Sequence, residues 1–124
     1  MALADELLAQ EALAVAGVSR RARGYGYKMW RHLQSKGIRV YPLNPNADEI
    51  EGERAYASVK DLPEPIGGMV TVVPPERTLA IVRECIELGV PRVWMQPGSE
   101  SDEVVKLAED NGIAVSAGAC MLLL

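Results

Sequence analysis

Apolar and polar residues alternate along this chain in blocks of two kinds. Short runs that are nearly all apolar predict buried strands, and these lie at residues 12–16, 38–43, 67–73, 93–96 and 113–116. Longer stretches between them carry apolar residues at helical spacing, which predicts helices over 25–36, 75–88 and 99–111. A short amphipathic helix is predicted within residues 1–10.

Strands that alternate with helices at this spacing imply right-handed crossovers and a mostly parallel sheet covered on both faces. The predicted fold is therefore α/β, a Rossmann-like three-layer sandwich with five to six strands, and the run at 67–73 is its expected central strand. The more polar segment 47–65 predicts a small irregular crossover with an extended piece near 54–56. We expect the 124 residues to form a single domain.

Four loops follow the predicted strand ends, after Gly17, at 44–45, at 73–74 and at 96–98. In open parallel sheets, ligands bind beyond the carboxyl ends of the strands, near the point where strand order reverses. We therefore expect these loops to line one crevice.

The first of these loops has the composition of a phosphate-binding loop. Residues 11–26 read EALAVAGVSRRARGYG, a strand that breaks at Gly17 before a helix begins near Tyr25. A helix N-terminus offers free backbone N–H groups and the positive end of the helix dipole to an anion. Gly24 and Gly26 suit both a tight turn and close approach of backbone. The side chains that can bind phosphate oxygens are Ser19, Arg20, Arg21 and Arg23.

The pattern disfavours a plain NAD site. Such a site has G-x-G-x-x-G and an acid about 20 residues later, but Gly17 is followed by Val18 and Ser19, and segment 41–44 contains no carboxylate. The arginines instead favour a ligand with a phosphate on its ribose, because guanidinium groups bind phosphate in bidentate fashion. NADP and coenzyme A both meet that description.

Three segments together carry a resemblance to a known family. They read AVAGVSRRARGYGYKMWRHL, VYPLNPNADEIEGERAYASVKDLPEPI and VTVVPPE, and with Trp-Met-Gln-x-Gly they span about residues 12–118. The chain resembles the CoA-binding domain family, also seen as the N-terminal domain of the succinyl-CoA synthetase alpha subunit. The resemblance implies coenzyme A as the ligand and a stand-alone domain without the synthetase's phosphohistidine domain.

The resemblance also implies roles for individual residues around the ligand. The phosphates would contact Gly17, Val18, Ser19 and Arg20; the adenosine part would contact Asn44 and Pro45; the ligand's length would contact Val73 and Pro74; and the pantetheine side would face Gln96, Pro97 and Gly98. The chain departs from the family at Asn46, where a lysine is common, and at 117–119, where Asp-Arg is usual before the cysteine.

No catalytic residue or metal site is predicted. His32 is the one histidine, and no serine or cysteine can be placed beside it from sequence. Cys85 and Cys120 lack metal-ligand spacing and indicate free thiols in a reducing compartment, with the alternative that Cys120, which follows the last predicted strand, meets a thioester. The leading interpretation is a CoA or acyl-CoA binding protein without catalysis, acting as a sensor, carrier or regulator. The alternatives are an NADP-dependent oxidoreductase or redox sensor, and a domain whose apolar tail, 121–124, recruits a partner or forms a homo-oligomer.

Net charge and composition argue against several classes of binding partner. The net charge is -4 and the pI about 5.0, which argues against general binding to nucleic acid or anionic membranes. The N-terminal residues lack the basic region of a signal peptide, and no apolar run approaches the ~20 residues of a membrane span. We therefore expect a cytoplasmic protein with a small-molecule ligand.

Overall fold

The structure is a computed structural model that describes residues 2–121. The helices are α1 Leu3–Leu8, α2 Tyr25–Gln34, α3 Pro75–Leu88 and α4 Asp102–Asp110. The strands are β1 Ala12–Ala16, β2 Arg39–Leu43, β3 Glu49–Ile50, β4 Glu53–Arg54, β5 Met69–Thr71, β6 Arg92–Met95 and β7 Ala114–Ala117. A single turn of 3-10 helix, Val59–Asp61, precedes β5.

Five strands form one parallel sheet in the order β2-β1-β5-β6-β7. The chain leaves β1 toward β2 and then returns to the other side of β1 as β5, so strand order reverses between β1 and β5. A parallel bridge between Leu43 and Tyr56 adds one residue pair beyond the β2 edge. The α/β Rossmann-like prediction is confirmed, and β5 is the central strand as expected.

Residues of β1 alternate between the two faces of the sheet, as the two-residue period of a strand requires. Leu13 and Val15 belong to a buried cluster with Trp30 and Leu33 of α2 and with Leu7 of α1. Ala14 and Ala16 belong to a second cluster, which contains buried residues of α3 and α4. Helices thus cover both faces, and the predicted three-layer arrangement is confirmed.

The local signals at the helix ends correspond closely to the structure. Pro75 lies in the first turn of α3, and Gly89 ends that helix in the left-handed region at φ +74°. α4 begins one residue after Ser101, whose hydroxyl accepts from the Val104 amide at 3.2 Å. Ser99, which the sequence placed at the start of this helix, is buried in the preceding loop and bonds to Thr71 instead.

The crossover between β2 and β5 contains a hairpin that the local sequence does not predict. β3 and β4 pair in antiparallel fashion, and α2 holds them through Arg31, which contacts Glu51 at 2.7 Å and Glu53 at 2.6 Å. The guanidinium carbon also lies 4.0 Å from the Trp30 ring centroid. Hydrogen bonding to Glu51 raises the pKa of Arg31, and the bonds from Tyr27 and Arg31 lower the pKa of Glu51.

Two further features concern the chain as a whole. Among residues 2–121, no helix has the length and apolar character needed to cross a bilayer. Of the apolar tail at 121–124, the structure describes Met121, which is buried in the α2 face of the core. The prediction for residues 122–124 falls outside the described part of the chain.

Candidate functional site

Two glycines let β1, β5 and α2 meet where strand order reverses. Gly17 has φ +100°, and a Cβ there would collide with the Val72 carbonyl and lie 3.0 Å from Cγ1 of Val73. Gly26, in the first turn of α2, packs its Cα against the Gly17 carbonyl so closely that a Cβ would collide with it. The glycines therefore bring the loop after β1 and the N-terminus of α2 to the carboxyl end of the sheet.

The N-terminus of α2 has no side-chain cap. Gly24 is the N-cap residue at φ +92°, and its carbonyl accepts from the Lys28 amide at 3.0 Å. Since glycine has no side chain to accept hydrogen bonds, the first backbone N–H groups of α2 stay available to a ligand. Together with the helix dipole, they favour an anion at this position.

Asn44 ties the loops after β1 and β2 to each other. Its Nδ2 donates to the Val18 carbonyl at 2.9 Å, and its Oδ1 accepts from the Asn46 amide at 2.7 Å. Arg20 adds a long bond of 3.4 Å from Nη1 to the Asn46 carbonyl. Within the first loop, the Ser19 hydroxyl oxygen accepts from the Arg21 amide at 3.1 Å, so its proton is free to be donated outward.

These two loops enclose a polar depression of about 450 Å³. It is lined by Ser19, Arg20, Arg21, Asn44 and Asn46. The ion pairs of the described residues involve Arg31, Arg39, Arg92 and Lys106 but none of the three arginines of the loop. The positive charge beside the depression is therefore not balanced by a contacting carboxylate, which favours an anionic ligand.

The other half of the site is largely apolar. An apolar strip of about 340 Å³ is lined by Val72, Val73, Pro74, Pro75, Pro97, Gly98 and Ser99. Beside it lies an end cavity of about 270 Å³, lined by Tyr25, Val72, Gln96, Pro97 and Cys120. The strip and the end cavity share Val72 and Pro97, so they are continuous. Gly17 lies close to both the depression and the strip, because it precedes Ser19 of the depression by two residues and packs against Val72 of the strip. We call the depression, the strip and the end cavity together the crevice.

Gln96 directly follows β6, and its side chain is hydrogen-bonded to residues near the end of the described chain. It is 4% exposed, and its Oε1 accepts from Nε1 of Trp94 at 3.0 Å and from the Met121 amide at 2.8 Å. Its Nε2 donates to Sγ of Cys120 at 3.2 Å. Trp94 also donates to the Ala119 carbonyl at 3.0 Å. Gln96 and Trp94 together thus hold residues 119–121 against the sheet, and the contact of Gln96 with pantetheine stays a prediction.

The structure brings most of the predicted residues to this crevice. Val18, Ser19, Arg20, Asn44, Val73, Pro74, Gln96 and Gly98 lie at or directly beside it, with Gly17, Gly24 and Gly26 shaping its backbone. Arg23 and Pro45 are exposed and line none of the three depressions. Their ligand contacts stay predictions as well.

Some residues that line the crevice were not predicted to contact a ligand. Tyr25 and Cys120 line the end cavity, and Asn46 lines the polar depression. The exposure of Tyr25 could have been predicted from the sequence, because Tyr25 begins an amphipathic helix and does not belong to its apolar face, which Met29, Trp30 and Leu33 form. The position of Cys120 after the last predicted strand allowed contact with a thioester, but its approach to Gln96, a contact across 24 residues, could not be predicted from the local sequence.

The titratable groups considered for catalysis do not meet in the crevice. Cys85 is a fully buried residue of α3, and burial raises the pKa of its thiol to about 12. His32 lies on α2, next to the hairpin-binding Arg31. Within residues 2–121, no group of three or more His, Cys, Asp or Glu side chains is arranged to hold a metal ion.

Comparison with known proteins places these features in a family. The family model of the CoA binding domain matches residues 11–124. The alpha subunit of the ADP-forming acetate–CoA ligase II of Pyrococcus furiosus is 29% identical over 120 residues, which cover 88% of this chain and 26% of that subunit. The uncharacterized protein YneT of Bacillus subtilis is 27% identical, with 88% of this chain and 81% of YneT covered.

This chain is also similar in fold and sequence to a protein of solved structure. A conserved hypothetical protein from Pyrococcus furiosus superposes with a TM-score of 0.84 at 40% identity, covering 92% of this chain and 99% of that one. The chain thus spans about a quarter of the ligase subunit and most of the two smaller proteins. The chain belongs to the CoA-binding domain family.

Proposed function

We propose that this protein binds coenzyme A or an acyl-CoA in the crevice and does not transform it, acting as a sensor, carrier or regulator. The observation that carries the proposal is a pair of arginines, Arg20 and Arg21, that line the polar depression near the uncapped N-terminus of α2 and form no ion pair with any described carboxylate. Charge-assisted hydrogen bonds from such groups are the strong ones available to a phosphorylated nucleotide. Family membership supports the choice of coenzyme A.

Arg20 supports the proposal at the position where the chain departs from its family. The resemblance to the family implies a lysine at position 46, and with Asn46 there this chain lacks that positive charge in the loop after β2. The Arg20 guanidinium reaches the Asn46 carbonyl at 3.4 Å and so brings a cation to the same place from the neighbouring loop. A phosphate in the polar depression would then contact the guanidinium of Arg20, which can donate two hydrogen bonds, in place of a lysine ammonium, which acts as a point charge.

The distribution of polarity along the crevice matches the ligand. Coenzyme A has a phosphorylated nucleotide at one end and a long, mostly neutral pantetheine arm at the other. The crevice is polar and basic near Ser19 and Arg20 and becomes apolar along Val73 and Pro74. Prolines form rigid apolar walls that lose little entropy when a ligand packs on them.

The described side chains favour ligand binding without catalysis. General acid–base catalysis needs a titratable group within hydrogen-bond reach of the reacting atom. Of the two thiols, Cys85 is buried on the core side of α3, while Cys120 lies in the end cavity with an amide as its polar neighbour. Neither has a histidine among its hydrogen-bond partners in the described part of the chain.

Calorimetric titration with coenzyme A, dephospho-CoA and NADPH tests this function. We expect saturable binding of coenzyme A and at least tenfold weaker binding of dephospho-CoA, because one charged hydrogen-bonding group is lost. Absence of coenzyme A binding would refute the proposal. Equal affinity for coenzyme A and dephospho-CoA would refute the role of the arginines, and tighter binding of NADPH would favour the oxidoreductase or redox-sensor alternative.

A further inference from the structure

The end cavity lies where the reactive end of a CoA ligand would arrive. It continues from the apolar strip through Val72 and Pro97, on the side away from the polar depression. Its volume of about 270 Å³ is slightly below the ~300 Å³ at which pockets for whole small molecules begin. It therefore suits the terminal group of a long ligand whose remainder lies elsewhere in the crevice.

The walls of this cavity are apolar and include an exposed aromatic ring. Tyr25, Val72 and Pro97 present carbon surface, and Cys120 behaves as a small, polarizable apolar side chain. Tyr25 is 68% exposed, and among the described residues only Leu88 is a comparably exposed large apolar side chain. An aromatic ring left in water at the rim of a cavity gains most when a ligand covers its face.

The orientation of the Gln96 amide is set by its partners. Nε1 of Trp94 and the amide of Met121 can only donate, so the atom that meets both must be the carbonyl oxygen of Gln96. With two donors bound, that oxygen has no capacity left. Nε2 therefore faces Cys120 and the cavity, with one N–H on the Cys120 sulfur and a second N–H unassigned. Gln96 can offer a ligand a donor and no acceptor.

We infer that the end cavity is a compartment for the acyl group of a short-chain acyl-CoA, with the Gln96 Nε2–H donating to the thioester carbonyl. This inference rests on the proposed function and adds to it the class of preferred ligand. A thioester supplies an acceptor oxygen at the position where Gln96 has only a donor, and its acyl chain covers Tyr25 and Val72. Free coenzyme A has neither the thioester carbonyl nor the acyl chain, so the protein distinguishes acyl-CoA from free coenzyme A.

Calorimetry with coenzyme A, acetyl-CoA, butyryl-CoA and decanoyl-CoA tests the compartment. Each buried methylene is worth about a fourfold gain in affinity, so butyryl-CoA should bind at least tenfold more tightly than coenzyme A. Decanoyl-CoA should gain nothing over butyryl-CoA, because the compartment is small. Tyr25→Ala should reduce the preference for butyryl-CoA at least threefold. Leu88→Ala, which removes the other exposed large apolar side chain at the end of α3, should leave the preference unchanged.

The outcomes separate this inference from the proposed function. If none of the ligands binds, both fail. If coenzyme A binds and the acyl-CoAs bind with the same affinity, the function stands and the acyl compartment is refuted. A steady gain through decanoyl-CoA also refutes the compartment, since it would indicate an open apolar surface. Gln96→Glu, which puts an acceptor in place of the donor, should weaken butyryl-CoA more than coenzyme A; an equal effect on both would contradict the role of Gln96.

Alkylation of Cys120 with iodoacetamide gives a measurement that is independent of affinity. At saturating ligand, butyryl-CoA should slow modification of Cys120 at least fivefold more than desulfo-CoA does, because only the acyl group fills the cavity beside Sγ. Desulfo-CoA replaces free coenzyme A here, because the thiol of coenzyme A would itself react with iodoacetamide. Cys85 is an internal control, since it is buried and should stay unmodified in all samples. Equal protection by the two ligands would place the acyl group outside the cavity.

Discussion

Asn44 donates a hydrogen bond from its side-chain amide to the Val18 carbonyl at 2.9 Å, and its side-chain oxygen accepts one from the Asn46 amide. The nitrogen and the oxygen of the Asn44 side-chain amide thus fix the positions of the loops after β1 and β2 relative to each other. The polar depression between those loops depends on this single side chain more than on any local turn.

Asn44→Asp should weaken coenzyme A binding at least fivefold. The substitution keeps the acceptor for Asn46 but sets a carboxylate oxygen against the Val18 carbonyl and adds a negative charge beside the phosphates. Calorimetry measures the change. Asn111→Asp is the matched control, because Asn111 also donates to a backbone carbonyl, that of Leu107 at 2.9 Å, but at the far end of α4. Equal effects of the two variants would contradict the role of Asn44.

Gly26→Ala should destabilise the protein, although alanine ordinarily favours a helix by about 1 kcal/mol over glycine. The added Cβ would collide with the Gly17 carbonyl, and such overpacking typically costs about 1 to 3 kcal/mol. Urea unfolding of the variant and the wild type measures the difference. A stability equal to or above that of the wild type would show that α2 and the loop after β1 are not in close contact.

Arg20→Ala should weaken coenzyme A by about 1.5 to 3 kcal/mol, or about 10- to 150-fold in Kd, the scale of a hydrogen bond to a charged group. The same variant should bind dephospho-CoA almost as the wild type does if Arg20 holds the ribose phosphate. Calorimetry of both ligands checks this. Arg83→Ala, an exposed arginine on α3, is the control for loss of one positive charge. A comparable loss from Arg83→Ala would indicate a general charge effect.

Glu64 should make the stability of the protein depend on pH in acid. Hydrogen bonds from Arg39, at 2.8 and 2.9 Å, and from Tyr41 lower the pKa of Glu64 to about 2, against an ordinary value of 4.5. Because the folded pKa is the lower one, the stabilisation is complete above the unfolded pKa and is lost as pH falls toward about 2. Urea unfolding between about pH 5 and about pH 2 should show a flatter profile for Glu64→Gln and for Arg39→Gln. Profiles parallel to that of the wild type would contradict this.

The sequence predicted the parts of the fold that depend on local patterns. The apolar runs located all five strands of the main sheet, and the glycines and prolines located the ends of α3. The hairpin of β3 and β4 was missed because each strand has two residues and is held by Arg31, about 20 residues away. No local pattern records such a partner.

The same distinction applies to the site. Loops at strand ends were predictable, because topology alone carries them to one edge of the sheet. The hydrogen bonds of Gln96 to residues 120 and 121 were not, since they depend on how the last segment returns across the end of β6. Ser99 shows the converse: a good helix-capping residue was drawn into a buried network with Thr71, and Ser101 took its place.

Backbone amide NMR during titration with coenzyme A is the most direct test of the central claim, that the ligand lies in the crevice at the carboxyl ends of the strands. We expect the largest shift changes at residues 17–20, 44, 46 and 72–73, with smaller changes at 96 and 98. Residues that line the cavity at the opposite end of the sheet, such as Val59, Ile66 and Val90, should be unaffected. Absence of shift changes, or changes centred on that opposite cavity, would contradict the account.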